Sequence, residues 1–206
     1  MKQVTLILLI SFFSLNVIGQ EVTTEVKKQK KEKVRLDKGP AVYITTSTGI
    51  NNNTAILGFN FELPVSPKVT IDAGPGTGTW NYKAYLGAKV YLKPAQRGFA
   101  FGTGFTYATG TRGNSYEMTT INGDKEQLKF NKNPQTNIFF AAYKYWNLGR
   151  QYNRLYLELG WSVPLSGGDK VTQMSGPPVT DESKRALESM APGGPILAFG
   201  FSFGVH

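Results

Sequence analysis

Cysteine is absent from the 206 residues, and histidine occurs once, at position 206. The first absence excludes disulfide frameworks, thiol nucleophiles and sulfur-ligated metals. The second argues against His-clustered zinc, Ser-His-Asp catalysis and an imidazole general base. After residue 20 the chain also lacks any apolar run near the roughly twenty residues that a membrane-spanning helix needs. Acidic groups are in the minority, 14 against 23 Lys and Arg, giving a formal charge of +9. Beyond residue 40, however, the basic residues form no stripe interleaved with aromatics, so no nucleic-acid partner is expected. What the chain does have is 23 glycines and an aromatic content of 13%.

The first twenty residues read as an address. Lys2 precedes the apolar run from Val4 to Leu15, and Val17-Ile18-Gly19 offers small or tolerated residues at the −3 and −1 positions of a signal-peptidase site. Cleavage after Gly19 is expected, with 1–19 as signal peptide. Residues 20–40 differ in kind: seven basic and four acidic groups among residues 21–40, few large apolar ones, and a Gly39-Pro40 end. This stretch is expected to be a solvated basic tether in the periplasm.

From residue 41 onward apolar residues recur at period two, the spacing of a strand with two unlike faces. Leu197, Phe199, Phe201, Phe203 and Val205 oppose Ala198, Gly200, Ser202 and Gly204, while Leu155, Leu157, Leu159 and Trp161 oppose Arg154, Tyr156, Glu158 and Gly160. Leu57, Phe59, Phe61 and Leu63 oppose Gly58, Asn60 and Glu62, with Ala55 and Ile56 read as the start of that strand. Similar alternation marks 82–92 and 99–107, and less clean versions mark 41–50, 67–76 and 137–146. In the last of these, Phe139, Ala141, Tyr143 and Tyr145 are placed on the apolar side against Lys144. Eight strands result.

A soluble barrel would bury the bulky face and show Lys, Glu and Thr outside. Here the second face is glycine, alanine and serine with scattered charges, a poor solvated exterior but a suitable lumen for a narrow barrel. The bulky face is therefore expected to meet lipid, and ten-residue strands tilted near 45° cover roughly the 25 Å of a lipid-facing band. The connectors agree. Pro64–Pro67, Pro94–Arg97 and Asn147–Tyr152 are short, whereas the two long ones, Gly110–Pro134 and Ser166–Gly194, both fall on the other side.

With these features and the final strand LAFGFSFGV, residues 41–206 resemble the small eight-stranded outer-membrane barrels of Gram-negative bacteria, the OmpA- and OmpX-like proteins. The fold so expected is all-β, an eight-stranded antiparallel up-and-down transmembrane β-barrel with short periplasmic turns and two long extracellular loops. The resemblance implies an outer-membrane location in a bilayer containing lipopolysaccharide, insertion by the barrel-assembly machinery, and a monomer without cofactor. One departure stands out: the family typically ends in an aromatic residue, whereas here Phe203 is followed by Gly204-Val205-His206.

Glu62, Asp72, Lys83, Lys89, Lys144, Arg154 and Glu158 take the inward parity and are expected to form a paired polar network, since buried charges persist only when paired and hydrogen-bonded. Leu57, Phe59, Phe61, Leu155, Leu157, Leu159, Leu197, Phe199, Phe201 and Phe203 are expected to face lipid. Trp80, Trp146, Trp161, Tyr107 and Tyr145 read as interface aromatics. In 110–134, Asn122-Gly123 suits a type I′ hairpin turn, and Tyr116, Met118, Asn122, Gly123 and Phe130 are the candidates for recognising a host or cell-surface partner. A capped helix is expected over Asp181–Met190.

Gly74–Thr79 is glycine-rich but lacks the Lys-Ser/Thr of a phosphate loop. Asp169, Asp181, Glu182 and Glu188 lack the spacing of a calcium loop, and no metal is expected. The leading functional expectation is a non-enzymatic barrel with an envelope-structural role or an adhesive role through its loops. The alternatives are a lipid-modifying barrel enzyme, disfavoured by the lone terminal histidine, and a soluble exported barrel holding an apolar ligand.

Overall fold

The protein's structure, a computed structural model, describes residues 40–148 and 152–205. The expected signal segment 1–19, the tether through residue 39, and His206 lie outside the described residues. Among the described residues the strands in chain order are β1 (Val42–Ile50), β2 (Leu57–Ser66), β3 (Val69–Gly78), β4 (Asn81–Lys93), β5 (Arg97–Ala108), β6 (Thr111–Thr119), β7 (Lys125–Lys132), β8 (Gln135–Leu148), β9 (Asn153–Pro164), β10 (Val171–Gln173) and β11 (Gly194–Val205), and one helix, α1 (Asp181–Ser189), precedes β11.

Eight of these strands close into an antiparallel barrel in the order β1-β11-β9-β8-β5-β4-β3-β2. Closure is made by β1 on β11, from Val42 opposite Val205 to Ile50 opposite Leu197. Closing the sheet leaves no unpaired edge in the barrel wall. The remaining three strands form a separate sheet, β10-β7-β6, built from the two long connectors.

The two faces of the wall are chemically unlike. Along β2, β4, β5 and β11 the outward residues are mostly apolar and exposed while the inward ones are mostly buried. Leu57, Phe59, Phe61, Leu155, Leu159, Leu197, Phe199 and Phe203 are exposed on the outside. Leu157 and Phe201 point the same way but are half-buried, Phe201 because the Phe203 ring packs edge-on against it at 4.3 Å. The soluble-barrel alternative required the opposite distribution.

Strand β8 corrects the expected facing. Phe139, Ala141, Tyr143 and Tyr145 point inward and are buried, and Lys144 points outward, half-buried, with its ammonium 4.1 Å from the centre of the Phe99 ring. Both faces of β8 are apolar, so alternation alone does not orient it. What orients it is the neighbour: inward Gly102 and Gly104 of β5 lie beside Ala141 and Phe139 in register. A Cβ on Gly104 would come within 2.9 Å of the Phe139 ring and 2.2 Å of the Leu86 carbonyl oxygen. Lys144 gains an aromatic face outside and avoids desolvation inside. The glycines of β5 thus make room for rings from β8.

The lumen is correspondingly full. Tyr85, Tyr91, Phe139, Tyr143, Tyr145 and Tyr156 form a buried cluster with Ala100, Ala141 and Ile196. Tyr145, expected at an interface, belongs to this cluster, with its ring 5.3 Å from Tyr91 and 5.4 Å from Tyr156. Eight strands enclose a space that side chains nearly fill, and a cavity inside, between Asp72, Tyr85 and Glu158, is about 10 Å³, room for no more than one water.

Candidate functional site

Three places concentrate chemistry: the lumen, the plug at its long-loop end, and the sheet above it. In the lumen, Glu62 on β2 is the hub. Its carboxylate accepts from Arg154 Nη2 at 2.6 Å, from Tyr91 Oη at 2.6 Å and from Lys89 Nζ at 3.1 Å. Lys89 also reaches Asp72 Oδ2 at 2.9 Å, and Tyr85 Oη donates to the same oxygen at 2.7 Å. Asn60 donates to Tyr85 in turn. Glu62, Asp72 and Lys89 come from β2, β3 and β4, whose inward residues stand side by side, and Arg154 reaches them from β9 on the far wall.

Arg154 closes the short-turn end. Its guanidinium lies 3.5 Å from the centre of the Tyr43 ring and 4.4 Å from that of Tyr145, and Nη1 donates to the Gln96 carbonyl at 2.9 Å. Gln96 is placed there by the β4–β5 turn, in which Ala95 and Gln96 both adopt left-handed backbone (φ 60° and 51°). The Gln96 amide donates to the Ser66 and Pro67 carbonyls, each at 3.1 Å.

At the long-loop end the β1–β2 connector turns into the barrel. Asn52, Asn53 and Thr54 are all buried. Asn53 Nδ2 donates to Glu158 Oε1 at 2.5 Å, which also accepts from Tyr143 Oη at 3.0 Å. Lys83 Nζ donates to the Asn52 carbonyl at 2.8 Å. Room for the plug comes from β2 and β3: a Cβ on Gly76 would sit 1.7 Å from the Thr54 carbonyl oxygen, and one on Gly58 would sit 2.1 Å from Thr54 Cβ. A polar turn of this kind reads from sequence as solvated, and only the lumen charges that it satisfies betray it.

Of the seven expected lumen residues, six are inside: Glu62, Asp72, Lys83, Lys89, Arg154 and Glu158. Lys144 is outside. Its removal leaves three acids against three bases, so the interior charges balance. Glu62, Asp72, Lys89 and Arg154 form one bonded group, whereas Glu158 and Lys83 are held separately by the plug.

The third place is a folded head. β6 and β7 pair as a hairpin, and β10 adds to the other edge of β7, with Val171 opposite Lys132. Its tip differs from the expected turn. Gly123 N–H donates to the Thr120 carbonyl, Thr120 N–H donates to the Asp124 carbonyl, and of the Asn-Gly pair only Gly123 has positive φ. That is a type I turn with a glycine bulge, not type I′.

Helix α1 is capped by Thr180, whose hydroxyl accepts from Ser183 N–H at 3.3 Å, and it buries Leu187 while Met190 stays exposed. Leu187 joins Trp80, Ala108, Met118, Leu128, Phe130, Val171 and Ala191 in a second core.

This core corrects part of the recognition set. Met118 and Phe130 are buried, and Tyr116 is half-buried against Phe130 and the Lys132 ammonium. Only Asn122 and Gly123 are at the surface, with Ile121 beside them, 63% exposed and overlooked in the sequence. Alternation along the hairpin signals one apolar face, but what covers it comes from residues 80 and 187, remote in the chain. Trp80 likewise is not an interface aromatic: it is buried and donates to the Asn133 carbonyl at 2.8 Å. Trp146, Trp161 and Tyr107 are exposed on the outer wall. Among the described residues no three acidic groups converge to hold a metal; Lys184 lies 4.0 Å from Asp169 and 3.9 Å from Glu188.

The chain is similar to two solved structures. One is the N-terminal β-barrel domain of OprF from Pseudomonas aeruginosa, at 9% identity and TM-score 0.39, covering 79% of this chain and 93% of that one. The other is CarO2 from Acinetobacter baumannii, at 17% identity and TM-score 0.43, covering 81% of this chain and 98% of that one. No protein-family model matches the sequence, and no curated protein matches it.

Proposed function

We propose that this chain is a non-enzymatic outer-membrane barrel protein that holds a folded head at the cell surface for adhesion or recognition. The observation that carries this reading is the inverted wall. Phe59, Phe101 and Phe199 are 57%, 57% and 62% exposed, while Glu62, Asp72, Lys89 and Arg154 on the other face are at most 3% exposed. A belt of apolar side chains around the whole barrel exceeds the patch of a few hundred Å² that soluble monomers carry. In hydrocarbon the same belt is solvated, and the closed ladder satisfies every strand internally. The belt meets the bilayer and its lipopolysaccharide, the barrel-assembly machinery inserts it, and the protein works as a monomer with its short turns in the periplasm.

The non-enzymatic part of the reading is supported by how the carboxylates are used. Glu62 and Asp72 are bonded to Lys89, Arg154 and tyrosines in a sealed interior, where no substrate reaches them. The surface that remains for function is the head, whose tip, residues 121–127, is continuously exposed.

The test has two parts. Envelope fractions from producing cells, extracted with detergent, should yield a species whose migration on a gel changes on heating. Protease added to intact cells should cut at the 121–127 tip while leaving the barrel strands whole. A protein found compact in detergent-free buffer, or a head protected on intact cells and cut only after lysis, would contradict the proposal.

A further inference from the structure

Beside the plug lies a pocket of about 470 Å³, within the range of cavities that bury small ligands. Its walls are largely apolar, formed by Ile50, Ile56, Trp80, Met190 and Pro195, with Lys83 and Asn52 also lining it. Ile50, Ile56 and Met190 are exposed at its edge, whereas Lys83 is 5% exposed. The lysine has three N–H donors, and among the described residues one hydrogen bond, to the Asn52 carbonyl, is made. No carboxylate among the described residues forms an ion pair with it. Glu158 supplies the opposite charge from beyond ion-pair distance, its Oε1 accepting from Asn53 and Tyr143. A buried ammonium with two of its three donors unfilled is costly, because the hydration it has lost is only partly replaced.

We infer that this pocket binds a single-chain amphiphile with one carboxylate, its head on Lys83 and its tail along Ile50, Ile56 and Met190. The two donors left on Lys83 match the two oxygens of a carboxylate. A phosphate head would call for a second cation. The neighbouring candidate, Lys132, already donates to the Thr79 carbonyl in the pocket wall and sits 5.1 Å from each of the Trp80 and Tyr116 ring centres. The apolar walls exclude small hydrophilic anions, which would gain the one ion pair but bury no chain. The site goes beyond the proposed surface role and does not depend on it: a barrel that failed to reach the outer membrane would still present the pocket.

Trp80 reports on the site. In a full-length Trp146→Phe/Trp161→Phe background it is the only remaining tryptophan. The protein, purified in a zwitterionic detergent, is titrated with bromine-tagged decanoate, decanol, decyltrimethylammonium and decyl phosphate, each carrying the bromine at the chain end. Decanoate should quench Trp80 saturably, about tenfold tighter than the alcohol, the step expected for a charge-assisted hydrogen bond. The cationic analogue should not saturate. Lys83→Met should bring decanoate to the level of the alcohol and leave the alcohol unchanged, and Lys83→Arg should restore the preference.

Equal quenching by carboxylate and alcohol in the unchanged site would overturn the inference, as would quenching that rises linearly with detergent partitioning. Tighter binding of the phosphate would overturn the choice of head group. The comparison of probes on the native site decides the matter even if the Lys83→Met protein does not fold.

Discussion

Arg154 lies over Tyr43, guanidinium carbon 3.5 Å from the ring centre, while its Nη2 is 2.6 Å from Glu62 on the opposite wall. One side chain from β9 therefore ties three strands together at the short-turn end, with both charged groups buried. Removing Arg154 leaves Glu62 and Asp72 sharing Lys89, one carboxylate charge in excess in a buried group, a loss of about 3–5 kcal/mol. Arg154→Met should destabilise the barrel by that amount in urea refolding into liposomes. Glu62→Gln combined with Arg154→Met should cost less than the two single changes added together, because the second change removes the orphaned charge. Strict additivity would mean that the two groups do not act as a pair.

The outer wall makes the opposite demand. Phe199 stands near the middle of β11, opposite Leu157 of β9, and is 62% exposed. Phe199→Arg should cost about 2–4 kcal/mol in the same refolding assay, the penalty for a charge at the middle of a lipid-facing band. Lys129→Ala, at an exposed position in β7, should stay within about 0.5 kcal/mol. Similar tolerance at both positions would be incompatible with a lipid-facing belt.

Glycine on β11 serves the interior. A Cβ on Gly200 would lie 2.5 Å from Cε1 of Tyr156, so Gly200→Ala should cost about 1–3 kcal/mol through overpacking. Pairing it with Tyr156→Leu should return part of that loss, since the clash is with the ring. No recovery in the double variant would place the strain in the backbone instead.

These interior fits separate what could be read in the sequence from what could not. On β2, β5 and β11 one face is mostly bulky and the other mostly small or polar, so a period of two fixes the facing without knowledge of partners. On β8, Phe139 and Phe140 are equally apolar, and the choice between them depends on Gly104 lying opposite Phe139, a pairing between strands 26 residues or more apart in the chain. The same remoteness hides the plug. Asn52-Asn53-Thr54 has the composition of a solvated turn, and its burial follows from Glu158 and Lys83 needing partners. The head hairpin is legible from Asn122-Gly123, yet the fate of Met118 and Phe130 is decided by Trp80 and Leu187.

That last dependence can be tested on the head alone. Phe130 is 2% exposed in the core shared by β7, β10 and α1. Phe130→Ala removes a ring whose loss from a core costs about 3–5 kcal/mol, more than a three-stranded sheet and one short helix are expected to spare. The barrel, closed by β5 pairing directly with β8 from Ala108 opposite Gln135 onward, does not need the head to complete its ladder. Phe130→Ala should therefore open residues 111–132 and 171–190 to protease on intact cells while the heat-dependent gel shift of the barrel is kept. Asn122→Ala, at the exposed tip, should change neither. Loss of the gel shift in Phe130→Ala would show that head and barrel fold as one cooperative unit.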